Sequence, residues 1–248
     1  MVGRQEMILR IRKALARPLD GSPAMGESAP PPPAQPMTGV MPTIPLGELL
    51  PKFEEELAKV AGVSHCAANR QALEEILQSI LSQAKATNVV LSRNRLLETL
   101  KIESLVRGWG KSVSVWPAAV TGGSPVGEDP ARAFAQAAFA STVGITGVEF
   151  ALAETGSLVV SSSTEGSQLA SLAPPVYVAL YRRTQLVASL DEVLQRLAMT
   201  YDGDPLPGRS FVFITGTSRT ADIEQILIRG VHGPGELHAI LVEEACFS

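Results

Sequence analysis

Three short stretches in the second half of the chain hold side chains able to do chemistry. The first, Phe211–Asp222 (FVFITGTSRTAD), is an apolar run that stops at Thr215-Gly216 and continues into Thr217, Ser218, Arg219, Thr220 and Asp222. The pattern predicts a strand that hands over to a helix at Ser218. Thr217 or Ser218 would cap that helix through its hydroxyl, and the free amides of the first turn would carry partial positive charge. Arg219 would add a guanidinium whose fork matches a carboxylate or a phosphate. The sum is a cradle for a small anion at the carboxyl end of a strand, where open α/β sheets bind their ligands. A purely structural account uses the same residues: Ser218 caps, Arg219 is solvated and Asp222 complements the helix dipole. The Gly-x-x-x-x-Gly-Lys spacing of a phosphate-binding loop is absent.

The second stretch is Glu154-Thr155-Gly156, between two apolar runs. Gly156 permits a tight turn, which sets Glu154 at a strand end. There a carboxylate can act as base, nucleophile or cation ligand, or simply sit in solvent. The third is Gly230–Glu236 (GVHGPGE), where Gly230 and Gly233 turn the chain and His232 lies between them. An imidazole there can relay a proton or donate to an anion, although a lone loop histidine is more often structural. His238 and His65, on apolar strands, read as satisfied core histidines. The candidate catalytic residues are therefore Glu154 and His232. The candidate ligand-binding residues are Thr155, Gly156, Thr215, Gly216, Thr217, Ser218, Arg219, Thr220, Asp222 and Gly233. No metal ligand set is expected.

The elements that must position these groups follow from hydrophobic periodicity. Apolar residues recur at helical spacing in Leu46–Val60, Gln71–Ala84, Arg95–Val106, Ala131–Ala140, Leu190–Met199 and Ser218–Arg229. Short β-rich runs fall at Val63–Ala67, Asn88–Ser92, Ser112–Trp116, Val176–Tyr181, Ser210–Thr215 and Leu237–Val242, and Gly144–Ser162 reads as two strands joined at Glu154-Thr155-Gly156. A polar turn is expected at Pro125–Pro130. The alternation predicts a layered α/β fold with a largely parallel sheet. Residues 1–17 read as a short amphipathic helix, residues 18–45 as a proline-rich linker around APPPPAQP, and residues 46–248 as one α/β domain.

Composition removes several function classes. A net charge of -4 and 5% aromatic residues give no basic field and no stacking platform for nucleic acid. No apolar run is long enough to span a bilayer, and Arg10, Arg12 and Lys13 interrupt the start of the chain where a signal-peptide core would lie. Two distant cysteines, Cys66 and Cys246, cannot alone supply an iron–sulfur cluster or a structural zinc site. A reducing, cytoplasmic location is expected.

Four blocks carry a resemblance: GITGVEFALAETGSLVV (Gly144–Val160), LASLAPPVYVAL (Leu169–Leu180), FITGTSRTADIEQ (Phe213–Gln225) and GVHGPGELHAILV (Gly230–Val242). With them the chain, from about Val40 onward, closely resembles the LUD-domain (DUF162) family of lactate-utilisation proteins. The resemblance implies a Rossmann-like, mostly parallel sheet flanked by helices, like that of the NagB, RpiA and CoA-transferase group, with a small antiparallel hairpin added. It also implies a subunit of an L-lactate-oxidising system whose partner proteins hold the iron–sulfur clusters, with no cofactor in this chain. CoA transferases use a nucleophilic glutamate before Asn-Gly, to which Glu154-Thr-Gly is loosely similar.

Three functions are consistent with these features. One is the non-redox subunit of lactate oxidation, with a small anionic ligand and iron–sulfur partner subunits. Another is a stand-alone enzyme or binding protein for a phosphorylated, carboxylate or CoA-linked metabolite. The last is an assembly module without catalysis that docks through its N-terminal helix.

Overall fold

The computed structural model describes residues 44–116, 129–201, 210–221, 227–230 and 232–247. All lie within one compact unit, Met41–Ser248. The expected N-terminal helix, residues 18–43 of the expected proline-rich linker, residues 125–128 of the expected polar turn and the candidate Asp222 fall outside the described residues.

In chain order the elements are α1 (Leu49–Lys59), β1 (Gly62–Ala67), α2 (Arg70–Gln83), β2 (Asn88–Leu91), α3 (Arg95–Thr99), α4 (Ile102–Gly108), β3 (Ser112–Val115), α5 (Pro130–Ala140), β4 (Val143–Thr146), β5 (Phe150–Leu152) and β6 (Ser157–Ser161). They continue with α6 (Ser162–Glu165), α7 (Leu169–Leu172), β7 (Val176–Tyr181), β8 (Leu186–Val187), α8 (Leu190–Tyr201), β9 (Phe211–Ile214), β10 (Arg219–Ala221), β11 (Leu227–Arg229) and β12 (Glu236–Val242). Six strands form one sheet in the order β1-β12-β7-β4-β2-β3, and all five ladders are parallel. The chain runs outward from β2 to the edge at β3. It then returns with β4 on the other side of β2 and steps through β7 and β12 toward β1. That reversal between β2 and β4 is a topological switch point.

Burial explains why the central strands read as unbroken apolar runs. All six residues of β7, VYVALY, are buried, as a strand covered on both faces requires. Val178 and Leu180 face Leu73, Leu77, Ile80 and Leu81 of α2 and the apolar residues of α3 and α4. Tyr177, Ala179 and Tyr181 face Leu49, Phe53 and Leu57 of α1, together with Leu158 and Val160 of β6. The strand β6 belongs to a second, mixed sheet in the order β8-β5-β6-β9, whose other face is covered by Val193 and Leu197 of α8. The expected hairpin at Glu154–Gly156 is the β5–β6 turn. Gly144–Thr146, expected to share that hairpin, belongs to the parallel sheet instead.

Two expectations about helices are corrected. The run Arg95–Val106 is two helices, because Lys101 takes a left-handed conformation, φ 50° and ψ 39°, which costs a non-glycine residue about 1–2 kcal/mol. The break resets the phase of the apolar stripe. A continuous helix after Leu96, Leu97 and Leu100 would turn Ser104 inward, whereas the break buries Ile102 and Val106. The described ends of the expected helix Ser218–Arg229 are strands, not helix. They pair antiparallel, with Arg219 opposite Arg229 and Thr220 opposite Ile228. Backbone pairing with the Gly230–Gly235 region overrides local propensity there: the Ser218 amide donates to the Pro234 carbonyl at 2.8 Å, and the Gly230 amide to the Ser218 carbonyl at 3.0 Å.

The edge strand is pinned by its histidines. His65 Nε2 and His238 Nδ1 lie 3.0 Å apart across β1 and β12, so each is satisfied by the other. Burial, then the neighbouring His65, lowers the His238 pKa to about 4, and burial lowers that of His65. Glu236, 3.9 Å from His238, is 67% exposed and too well solvated to reverse this. The unfolded chain takes up a proton near pH 6.5 that the folded chain refuses until lower pH. The stability held above that value is therefore lost as pH falls from about 6.5 toward 4. The melting temperature is expected to drop between pH 7 and pH 5, and His238→Asn is expected to shrink the drop; an undiminished drop in the variant would contradict this account.

Candidate functional site

The segment after β9 does not lie on the parallel sheet, since β9 pairs antiparallel with β6 in the second sheet. With no helix at Ser218, the expected dipole-backed cradle is absent. Its residues nonetheless line a cleft of about 260 Å³. Thr215, Gly216, Thr217 and Ser218 form one wall and His232, Gly233 and Pro234 another, with Leu172, Tyr177 and Leu237 at the base. Tyr177 and Leu237 are second residues of their strands, so the cleft opens at the amino end of the parallel sheet rather than at its carboxyl end.

Local packing fixes this wall. Gly216 has φ 81°, and a Cβ there would stand 2.4 Å from the Val60 carbonyl oxygen at the end of α1. The Thr217 amide donates to that same carbonyl at 3.3 Å. The Thr217 hydroxyl is buried with no partner among the described residues. The Ser157 hydroxyl meets those of Thr155 and Thr215, at 2.8 and 2.6 Å. Thr155 is thus joined to the wall through Ser157, yet lines no part of the cleft.

The remaining candidates are drawn elsewhere. The Glu154 carboxylate accepts the Leu190 amide at 2.7 Å, and its own amide donates to Ala188 at 3.1 Å. It holds the first turn of α8 to the hairpin and does not line the cleft. Gly156, φ 63°, admits the α1 backbone: a Cβ would meet the Leu57 amide nitrogen at 2.2 Å. Arg219 is exposed on β10 and Thr220 lies in the same strand, so neither the cation nor the helix-terminal amides converge as expected. His232 is exposed at the cleft mouth.

The most heavily bonded polar group stands at the switch point, and the sequence reading missed it. Glu165, the last residue of α6, is fully buried. One carboxylate oxygen, Oε1, accepts from the Asn94 side-chain amide and from the Thr164 hydroxyl, the latter at 3.1 Å. The other, Oε2, accepts from the Ser92 hydroxyl and, at 3.0 Å, from the Gly147 amide. Ser92 and Asn94 follow β2, and Gly147 follows β4, so the carboxylate ties together the two strand ends that flank the reversal. Burial pushes its pKa up, opposed by these four donors. Burial also raises the pKa of Glu149, opposed by hydrogen bonding to Thr164, and its Oε2 is buried without a partner among the described residues. The available signal was a lone acidic residue in a serine- and threonine-rich run, SSSTEGS, directly after a buried strand.

Two single substitutions check these assignments. Both oxygens of Glu165 face a group that can only donate, Asn94 on one side and the Gly147 amide on the other. In Glu165→Gln one of those donors would confront an NH2, so the near-isosteric change should cost about 1–3 kcal/mol in denaturant unfolding; a neutral result would dispose of the four-donor account. Glu154→Ala should cost about 1 kcal/mol by freeing the start of α8, while Glu154→Gln, which keeps an acceptor, should be close to wild type.

Comparison with known proteins then places the chain. The LUD domain model matches residues 50–242. The chain is 30% identical over 173 residues to lactate utilization protein C of Halalkalibacterium halodurans, covering 69% of this chain and 70% of that one. It is 31% identical over 179 residues to lactate utilization protein C of Bacillus subtilis, covering 69% of each. A crystal structure of a DUF162 family protein from Deinococcus radiodurans superposes with a TM-score of 0.54 over 81% of this chain and 99% of that one, at 18% identity, which establishes the shared fold. A parallel Rossmann-like sheet with an added mixed sheet, together with a domain match that runs from α1 to the last residue of β12, makes this chain a member of the LUD-domain family.

Proposed function

We propose that this protein serves L-lactate utilisation as a subunit that carries no redox centre and works with iron–sulfur partner proteins. The observation that supports this is the domain match over residues 50–242, which includes both walls of the Thr215–Ser218 and His232–Gly233 cleft, together with relatives named lactate utilization protein C. Oxidation of L-lactate to pyruvate releases two electrons and two protons, and the electrons need a cofactor. A cluster commonly takes four thiolates, and this sequence has two cysteines. Cys246 is buried, its thiol hydrogen-bonded to the Ala67 carbonyl at 3.2 Å. The cysteine count supports a reading in which iron–sulfur clusters sit in partner chains.

Within such a system the cleft offers hydroxyl and imidazole groups to a small polar ligand. The nucleophile version of a stand-alone transferase draws no support from Glu154, whose carboxylate is engaged at the start of α8.

Deleting the gene should abolish growth on L-lactate and leave growth on glucose intact, with the wild-type gene restoring it. Undiminished growth on L-lactate would rule the role out. A gene carrying both Ser218→Ala and His232→Ala should complement poorly; full complementation would remove the cleft from the reading while leaving the role in place.

A further inference from the structure

The parallel sheet has a second opening at its other end. A cleft of about 250 Å³ lies at the carboxyl ends of β2 and β3, with Ser92, Arg93, Glu98, Lys101, Glu103 and Ser104 as its polar lining and Leu91, Leu97 and Val115 as its apolar lining. We propose that this cleft binds a small oxyanion, a carboxylate or a phosphate, through the Arg93 guanidinium.

The backbone past β2 determines where that guanidinium goes. Ser92 and Asn94 both bond the buried Glu165 carboxylate, and the Arg93 amide donates to the Glu165 carbonyl at 3.0 Å. In extended chain, successive side chains point to opposite sides. The Ser92 and Asn94 side chains are held by Glu165, although Ser92 also borders the cleft, and Arg93 between them lines it. Arg93 is half-buried there, and no hydrogen bond or ion pair holds its guanidinium among the described residues. A partly desolvated cation without a counter-charge is unfavourable, and a planar oxyanion is the group its fork fits best.

The lining also carries two exposed carboxylates, Glu98 and Glu103. Glu103 is engaged by Arg107 at 2.9 Å. Glu98 is exposed at the rim, as is Lys101. The left-handed turn at Lys101 brings the second cation to the same opening. The ends of β2 and β3 lie beside the switch point, the usual place for a ligand in this architecture. This site is separate from the Thr215–Ser218 cleft and does not depend on the lactate role.

The test uses the full-length protein at low ionic strength, titrated by calorimetry with sodium L-lactate, sodium pyruvate or sodium phosphate, and with glycerol as a neutral control. Saturable binding of at least one anion is expected, weakened by added salt and absent for glycerol. Binding of the carboxylates alone, of phosphate alone or of both identifies the oxyanion. Arg93→Gln should weaken binding about tenfold or more, and Arg93→Lys should fall between, because it keeps the charge and loses the fork. Arg95→Gln, on the exposed side of α3, should bind as wild type. Unchanged melting of Arg93→Gln would show that the loss is not unfolding. Absence of saturable binding by all three anions, or equal binding by wild type and Arg93→Gln, overturns the proposal.

Discussion

A carboxyl group removed from water must be given hydrogen-bond partners or a counter-charge, and Glu165 is given four donors and, among the described residues, no cation. That requirement organises the carboxyl end of the sheet. Leaving one buried donor or acceptor unsatisfied there would cost about 1–3 kcal/mol. The donors come from the end of β2, the end of β4 and α6, three segments distant in sequence. Asn94 serves twice: its amide group donates to Glu165, while its carbonyl oxygen accepts the Leu96 amide at 2.8 Å and caps α3. One buried carboxyl group thus ties together the strand ends at the reversal, the start of the next helix and the segment from which Arg93 emerges.

Much of the scaffold was legible because burial leaves a periodic trace. The stripe of Leu73, Leu77, Ile80 and Leu81 marks α2, and the unbroken run Val176–Tyr181, read as a buried-strand candidate, is a strand buried on both faces. The hairpin at Glu154–Gly156 followed from glycine in a turn between β-rich runs. The strand pair β10–β11 was not legible, because Ile223, Ile226 and Leu227 recur at helical spacing, whereas the pairing partners that decide the matter are carbonyls and amides of Gly230 and Pro234. The break at Lys101 was hidden for a related reason, since two short stripes in different phase look like one loose stripe.

The candidate site was legible in part. The polar loops that gather around the amino-end cleft were named from their residue types, and Thr215–Ser218 do meet His232 and Gly233. What failed was the inference from a local motif to electrostatics, because free amides need a helix and the helix is absent. Glu154 failed differently: a carboxylate between apolar flanks had a structural partner 36 residues onward, at Leu190. Glu165 went unread because its significance lies wholly in tertiary partners, the nearest in sequence outside its own short helix being Gly147, 18 residues away.

The two clefts differ in kind, and the topology explains why. At the amino end of the sheet the walls come from β9 of the second sheet and the loop before β12, which offer hydroxyls, an imidazole and close-packed glycines. Such groups suit a polar ligand of little charge, because each can donate or accept. At the carboxyl end, the segments leaving β2 and β3 diverge from those leaving β4, and the gap at the reversal has to be closed by side chains. Glu165 closes it with a carboxyl group held by four donors. Arg93 faces outward from that site with its charge uncompensated by any ion pair among the described residues. The buried Glu165 site at the switch point and the positive charge in the adjoining cleft are therefore two consequences of one backbone path, Ser92-Arg93-Asn94. Moving that path by a single residue would exchange them, driving the guanidinium inward onto Glu165 and leaving the cleft without its cation.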